Sequence, residues 1–253
     1  MAPGVIITGG SSGIGLALTA ALLRRPAGYK IFSTGQRSLE EATELTAFIN
    51  SCEEADRSRL LYSVGDTGDE ATVTRQLSEA TEFFGAAPKG LFLNAGIGGG
   101  RYPLEEFDVE RFDQMFHVNV RGVFLWLRAA LPSLKASSEA SQICVTSSVM
   151  GSRPVAQAAP YCASKYAVNG LVLSLRAELK AAGHSHIKCG LVCPAGVATP
   201  WWEESKRGFA AADAATPDVS KFLTAEAVAD ACVGMLEQHA SANVESVMLD
   251  AAG

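Results

Sequence analysis

The stretch Val5-Ile6-Ile7-Thr8-Gly9-Gly10-Ser11-Ser12-Gly13-Ile14-Gly15 decides how the chain is read. It begins as a short apolar, β-branched run, the composition of a buried strand. A glycine-rich turn follows, and from Ile14 to Arg25 the apolar residues recur with helical spacing. A strand, a glycine turn and a helix N-terminus form a phosphate cradle. Backbone N–H groups and the helix dipole favour an anion, and glycines let the backbone come close to it. The spacing here is G-x-x-x-G-x-G on Gly9, Gly13 and Gly15, not the general G-x-G-x-x-G fingerprint. Gly13 opens the helix, with Ile14 beside it, and Gly15 lets the helix pack on the sheet. Taken alone, the stretch also reads as a tight turn that binds nothing.

Outward from it, β-rich runs alternate with helical patterns. Lys30–Thr34, Leu60–Val64, Leu91–Leu93, Gln142–Thr146, Ile187–Val192 and Val244–Leu249 read as strands. Leu39–Ala55, Glu70–Phe84, Leu104–Met115, Val118–Lys135, Tyr161–Ala182 and Ala225–His239 read as helices. Alternating β and α elements with fully apolar strands predict an α/β fold: a doubly wound parallel sheet of about seven strands, Rossmann-like, with helices on both faces. No linker or repeat divides residues 1–253, so one domain is expected. The irregular stretch 195–221, with two tryptophans and two prolines, reads as a binding loop within it.

Of 253 residues, 48% are hydrophobic and 19% charged, which excludes a disordered chain. The net charge of −6 disfavours nucleic acid as a partner. No apolar run approaches the roughly 20 residues that span a bilayer, so no membrane is expected. The start Met1-Ala2-Pro3-Gly4 has no basic region or cleavage site, so no signal peptide is expected either. The six cysteines form no C-x-x-C pair and lie mostly in apolar segments, which reads as buried free thiols in a reducing cytoplasm. The four histidines share no ligand spacing, and no metal is expected.

Tyr161 and Lys165 stand at i and i+4 on one face of the longest helix. A phenol has a pKa of about 10, and a nearby ammonium favours the phenolate. Such a tyrosine can exchange a proton with an alcohol oxygen. An isolated pair of this kind is more often a surface pair. Its neighbourhood matters: Ser148 follows a strand end, at the edge where open α/β sheets bind ligands. Asn94-Ala95-Gly96 ends another strand at that edge. Asn119 lies inside a helix, a poor place for asparagine without a polar task.

In this ordered set the chain resembles the short-chain dehydrogenase/reductase family, in its compact single-domain branch. T-G-x-x-x-G-x-G is met by Thr8, Gly9, Gly13 and Gly15, N-A-G by Asn94, Ala95 and Gly96, the helix asparagine by Asn119, the serine by Ser148, and Y-x-x-x-K by Tyr161 and Lys165. The resemblance implies a dinucleotide-binding, catalytic domain. Tyr161 would be the general acid in reduction and the base in oxidation. Lys165 would lower its pKa and hold the nicotinamide ribose. Ser148 would orient a substrate carbonyl, and Asn119 would hold a water in a relay to Lys165. Pro194, Val197 and Thr199 would border the nicotinamide, and Asp66 would accept from the adenine amino group. One departure stands at Ala195, where the family usually has glycine.

The second strand runs into Gly35-Gln36-Arg37, with no carboxylate before Glu40. An acidic residue there would favour NAD. Arg37 suits a 2′-phosphate, with a hydroxyl from Ser11 or Ser12, so NADP is expected over NAD. Arg37 as a solvated loop residue is the plainer alternative. Candidate substrate walls are Met150, Val155, Gln157, Trp201 and Trp202, with Tyr102 and Phe209 beside them. They suit a largely apolar carbonyl or alcohol. Arg153, Lys206 and Arg207 suit an acidic group on a substrate, with solvated surface charges the plainer reading. The expected activity is carbonyl–alcohol interconversion by hydride transfer. An NAD-dependent alcohol dehydrogenase and a non-catalytic NADP(H)-binding regulatory module are the alternatives. A homodimer or homotetramer is expected from the family.

Overall fold

The computed structural model describes residues 2–202 and 217–252. Its strands are β1 (Gly4–Thr8), β2 (Lys30–Gly35), β3 (Leu60–Val64), β4 (Gly90–Leu93), β5 (Ser141–Thr146), β6 (Ile187–Pro194), β7 (Val197–Ala198), β8 (Leu223–Thr224) and β9 (Ser246–Leu249). Its helices are α1 (Gly13–Leu23), α2 (Thr43–Ser51), α3 (Glu54–Arg57), α4 (Glu70–Phe84), α5 (Val109–Phe116), α6 (Gly122–Ala136), α7 (Ala159–Ala181) and α8 (Ala225–Leu236). Seven strands form one parallel sheet in the order β3-β2-β1-β4-β5-β6-β9. β7 and β8 pair separately as a two-stranded parallel ladder.

The period-two alternation of each strand divides the core into two layers. Ile6, Phe32, Leu91, Leu93, Ile143, Val145 and Leu191 face α4, α6 and α7. Val5, Ile7, Ile31, Phe92, Cys144 and Val192 face α1 and α8, with Phe48 of α2 at the margin. Each fully buried aliphatic side chain contributes about 1.5–3 kcal/mol. Both faces of the central strands are covered, so β1, β4 and β6 are buried along their whole length, while the edge strands β3 and β9 are partly exposed. All six cysteines are free, and five are buried. Among the described residues no helix is long and apolar enough to cross a membrane.

Three helical expectations change. The pattern over Leu39–Ala55 splits. Ser38 and Glu41 cap each other's backbone amides, delaying the helix to Thr43, and Cys52 and Glu53 are extended, separating α2 from α3. Leu104–Glu106 is a separate 3₁₀ turn, and α5 starts beyond it with Asp108 accepting from the Arg111 amide. α5 then runs into α6 through a widened π-helical turn at His117–Arg121, so no break separates them. A π turn in a helix marks an inserted constraint, often at a functional position.

β9 closes the sheet on β6 and is bolted there by Arg176 of α7. Its guanidinium donates to Cys189 O at 2.6 Å, to Asn243 Oδ1 at 2.6 Å and to Asn243 O at 2.5 Å, and it stands 3.5 Å from Glu245 Oε2. Those are the carbonyls of a strand and of the turn that feeds β9. Arg176→Ala leaves them without a donor. It is expected to lower stability by about 2 kcal/mol, measured by urea denaturation, with protection of the β9 amides lost first in hydrogen exchange.

Candidate active site

Strand order reverses between β1 and β4, and there the carboxyl ends of the strands open into a crevice. A cavity of ≈ 900 Å³ occupies it, running from Arg37 past the glycine turn to Tyr161 and Trp201. The volume lies in the range of cofactor and ligand sites.

The turn is shaped by close approach. Gly9 and Gly13 have φ of +69° and +53°, the left-handed region where glycine is at ease. A Cβ on Gly15 would strike the Gly9 carbonyl and come within 2.8 Å of Gly10 Cα. Gly15 therefore lets the helix start fold back on its own turn, not on the sheet, and it does not line the cavity. Ser11, Ser12, Gly13 and Ile14 do. A Cβ on Gly13 would stand 3.1 Å from Thr199 Cγ2, so the turn and the segment after β6 face each other closely.

A polar seam ties the strand ends together. Thr8 Oγ1 accepts from the amides of Asn94 and Ala95, each at 3.0 Å. Thr146 Oγ1 donates to Asn94 Oδ1 at 3.1 Å, and Asn94 Nδ2 donates to Gly9 O at 3.4 Å. Lys165 Nζ donates to Thr146 O at 2.9 Å. Asn94, Ala95, Gly96, Pro194, Val197 and Thr199 all line the cavity.

Ser148, Tyr161 and Lys165 meet on one wall, all buried. Ser148 Oγ accepts from the Met150 amide at 3.1 Å and hydrogen-bonds the Tyr161 hydroxyl. Burial pushes the Tyr161 phenol well above its ordinary pKa, and the Ser148 bond pulls it back in part. The Lys165 ammonium donates to Thr146 O and stands 5.7 Å from the Tyr161 ring centre. Burial lowers Lys165 itself to about 8.

Asn119 sits in the π turn, buried. Its Oδ1 accepts from Ile97 N at 2.8 Å, and its Nδ2 donates to Ile97 O at 2.9 Å and Ser164 Oγ at 3.2 Å. The side chain fastens the π turn to the loop after β4 and to α7. Both amide hydrogens and one lone pair of the oxygen are used by these protein groups.

Asp66 departs from expectation. Its Oδ1 accepts from Gly68 N at 2.8 Å, and its Oδ2 lies 2.9 Å from His117 Nε2. Its neighbours Gly65 and Thr67 line the cavity, but Asp66 does not, because this pairing draws the carboxylate toward the helix. Met150, Trp201 and Trp202 are on the wall as expected. Val155 is one layer back, packed on Met115, Ala158, Tyr161 and Cys162. Gln157 is off the wall. Its backbone is left-handed (φ +61°), and its carbonyl accepts from Tyr102 N at 3.0 Å. Tyr102 turns to Phe107 and Arg111 instead. Lys206, Arg207 and Phe209 lie outside the described residues, as does much of 195–221.

The cavity also has walls that the sequence reading passed over: Glu41, Ile97, Gly98 and Gln114. Glu41 had a usable signal. Ser38-Leu39-Glu40-Glu41 has capping-box spacing, which fixes a glutamate back toward its serine. Gln114 had none, since it lies on an exposed helix face.

Comparison with known proteins agrees with this geometry. The family model described as short chain dehydrogenase matches residues 4–208. Levodione reductase of Leifsonia aquatica is 32% identical over 203 residues, 80% of this chain and 72% of that protein. A crystal structure of levodione reductase superposes with a TM-score of 0.81 at 28% identity, covering 99% of this chain and 96% of that one. An alcohol dehydrogenase of the archaeon Thermococcus sibiricus, complexed with 5-hydroxy-NADP, gives 0.79 at 26% identity, covering 99% and 97%. A 3-ketoacyl-(acyl-carrier-protein) reductase of Brucella melitensis, complexed with NADH, shares the fold with a TM-score of 0.81 at 24% identity, covering 99% and 97%. With the glycine turn, the Asn-Ala-Gly strand end and the Ser148–Tyr161–Lys165 wall gathered at one sheet edge, the chain belongs to the short-chain dehydrogenase/reductase family of oxidoreductases.

Proposed function

We propose that the protein is an NADP(H)-dependent oxidoreductase that interconverts a carbonyl and an alcohol, with Tyr161 as acid and base. The observation that carries this is one continuous cavity with the glycine turn at one end and Ser148, Tyr161 and Lys165 at the other. Its shape fits a dinucleotide: the turn is so tight that a Cβ at Gly15 would strike backbone, which leaves N–H groups free to approach a pyrophosphate. When bound, the nicotinamide supplies or accepts the hydride. Ser11, Ser12, Gly13 and Ile14 would hold its phosphates, and Lys165 its ribose hydroxyls. As negative charge grows on a carbonyl oxygen, the Ser148 and Tyr161 hydroxyls are placed to stabilise it. A raised pKa keeps the Tyr161 phenol protonated at neutral pH, the state a proton donor needs. In oxidation the Ser148 hydrogen bond eases proton loss. Asn119 serves this wall by position, holding the loop after β4.

Arg37 and the Ser11 and Ser12 side of the turn support NADP. β2 ends in Gly35, followed by Gln36 and Arg37, so no carboxylate stands at the strand end, and a Cβ at Gly35 would press on the Tyr62 hydroxyl. One observation favours NAD as the second reading: Glu41 lines the same end. Its Oε2 already accepts from Ser38 N at 3.0 Å, which leaves Arg37 the better-placed partner. For the substrate we propose a largely apolar carbonyl compound, from the Ile97, Met150, Trp201 and Trp202 walls. A homodimer or homotetramer in the cytoplasm is part of the same reading. Phe112, Phe124, Tyr166 and Leu173 are exposed on α5, α6 and α7, and every cysteine is a free thiol.

Titration of the purified protein with each reduced nucleotide is expected to give NADPH binding at least about tenfold tighter than NADH, about 1.4 kcal/mol. Arg37→Ala is expected to remove that preference, and tighter NADH binding would reverse it in favour of the Glu41 reading. In steady-state reduction of aryl and alicyclic ketones, Tyr161→Phe is expected to lower kcat by about 10²–10⁴-fold with NADPH binding intact. An unchanged rate would point to a regulatory module.

The buried lysine makes a separate prediction. Its folded pKa, about 8, lies below the unfolded value of about 10.4. Below pH 8 the folded state therefore bears the whole cost of holding the ammonium, and that cost is relieved as pH rises from 8 towards 10.4. Lys165→Met is expected to be more stable than the parent at pH 7, by up to about 3 kcal/mol, while losing activity. The stability difference should shrink across that window in parallel denaturation curves.

A further inference from the structure

The short turn that carries Ser148 is fastened to the helix that carries Tyr161 by a side chain outside the family's expected set. Ser147 Oγ donates to Asn169 Oδ1 at 2.6 Å, and Asn169 Nδ2 donates to Gly151 O at 3.0 Å. One carboxamide thus closes both ends of the 3₁₀ turn Val149–Gly151. The turn sits directly on α7. A Cβ at Gly151 would come within 2.8 Å of Asn169 Nδ2 and of Ser147 Oγ, and within 3.2 Å of the Lys165 carbonyl.

What the turn does follows from the bonds inside it. The Met150 amide donates to Ser148 Oγ at 3.1 Å. That bond uses one of the hydroxyl's two lone pairs, while its proton is directed to Pro194 O at 3.4 Å. The hydroxyl so oriented is the one that meets Tyr161. A rotated or loosened turn would carry the Met150 amide away and leave the hydroxyl held only by the long bond to Pro194 O. The requirement on residue 169 is specific. Ser147 offers a proton and needs an acceptor, and the Gly151 carbonyl needs a donor. Asparagine supplies both at one length, aspartate supplies only the acceptor, and alanine supplies neither.

We propose that Asn169 is a positioning residue, holding the Val149–Gly151 turn so that the Ser148 hydroxyl stays aligned on Tyr161. Asn169 is one helical turn beyond Lys165 and does not line the cavity, so it acts through the turn and not on substrate. The inference rests on the proposed catalytic pairing of Ser148 with Tyr161.

The test uses the full chain, NADPH, and whichever ketone of an aryl and alicyclic panel the parent reduces fastest. Asn169→Ala is expected to lower kcat about tenfold, with the dissociation constant for NADPH and the KM for ketone within twofold of the parent. In a Ser148→Ala background the same substitution is expected to cost nothing more, because the hydroxyl it aligns is gone. Asn169→Asp preserves shape and the Ser147 acceptor while losing the Gly151 donor. It is expected to lose about threefold in kcat, and it carries the test where the truncated variant does not fold. A parental kcat in both variants overturns the inference. So does a loss that adds in full to that of Ser148→Ala, which would mark Asn169 as merely structural. Tyr161→Phe separates the two levels. If it leaves the rate unchanged, or if the parent reduces no ketone, the catalytic reading fails and the inference with it. If Tyr161→Phe abolishes reduction while Asn169→Ala is parental, only the inference fails.

Discussion

Thr8 ends β1 with a hydroxyl that accepts two amides, those of Asn94 and Ala95 at the end of β4. From there Asn94 reaches back to Gly9 and accepts from Thr146, and the Thr146 carbonyl receives Lys165. Parallel strands separated by a topological reversal leave a gap at their carboxyl ends, and backbone groups there have no ladder partner. The seam satisfies those groups and in the same stroke sets the glycine turn at a fixed distance from the Ser148–Tyr161–Lys165 wall. The glycine turn follows β1 and Tyr161 lies on α7, far along the chain, and this short relay of side chains keeps them in register.

The wall itself is held against a thermodynamic gradient. A phenol and an ammonium are both buried, and burial acts on them in opposite directions, raising the Tyr161 pKa and lowering that of Lys165. Each group is thereby pushed toward its neutral form. The protein sets against this only a few dipoles: the Ser148 hydroxyl, the Thr146 carbonyl and the backbone around the turn. Such an environment is poorly suited to hydrophobic packing; it holds the phenol in its protonated form and brings the lysine down to about 8. The two apolar layers on either side of the sheet supply the stability that this strip lacks.

What could be read in the sequence was what is local. Val5–Gly15 states strand, turn and helix in one breath, and fully apolar strands announce a sheet covered on both faces. Asn119 was visible because asparagine sits badly inside a helix, though its actual partners, Ile97 and Ser164, come from other elements. The π turn around it had no local sign. Asp66 was read by resemblance, and its carboxylate is instead engaged by His117 from a helix far along the chain. Lys165 was set beside Tyr161 by helical spacing and given its role by resemblance. Spacing puts two residues on one face but does not say where a long side chain ends, and here the ammonium reaches the Thr146 carbonyl. Asn169 looked like any polar residue on an amphipathic helix, since its task depends on Ser147 and Gly151, which only the fold brings beside it.

The two-residue ladder of β7 with β8 is small, yet it alters what the intervening chain can be. Val197 and Ala198 lie beside Leu223 and Thr224, and Trp202 is drawn back by its indole N–H to the Val197 carbonyl at 2.7 Å. The chain therefore departs and returns at one clasp, and the entropic cost of closing a loop grows only slowly with its length. What the clasp secures is its own flank: Val197, Trp201 and Trp202 keep their places on the cavity wall, with Trp201 edge-on to Tyr161.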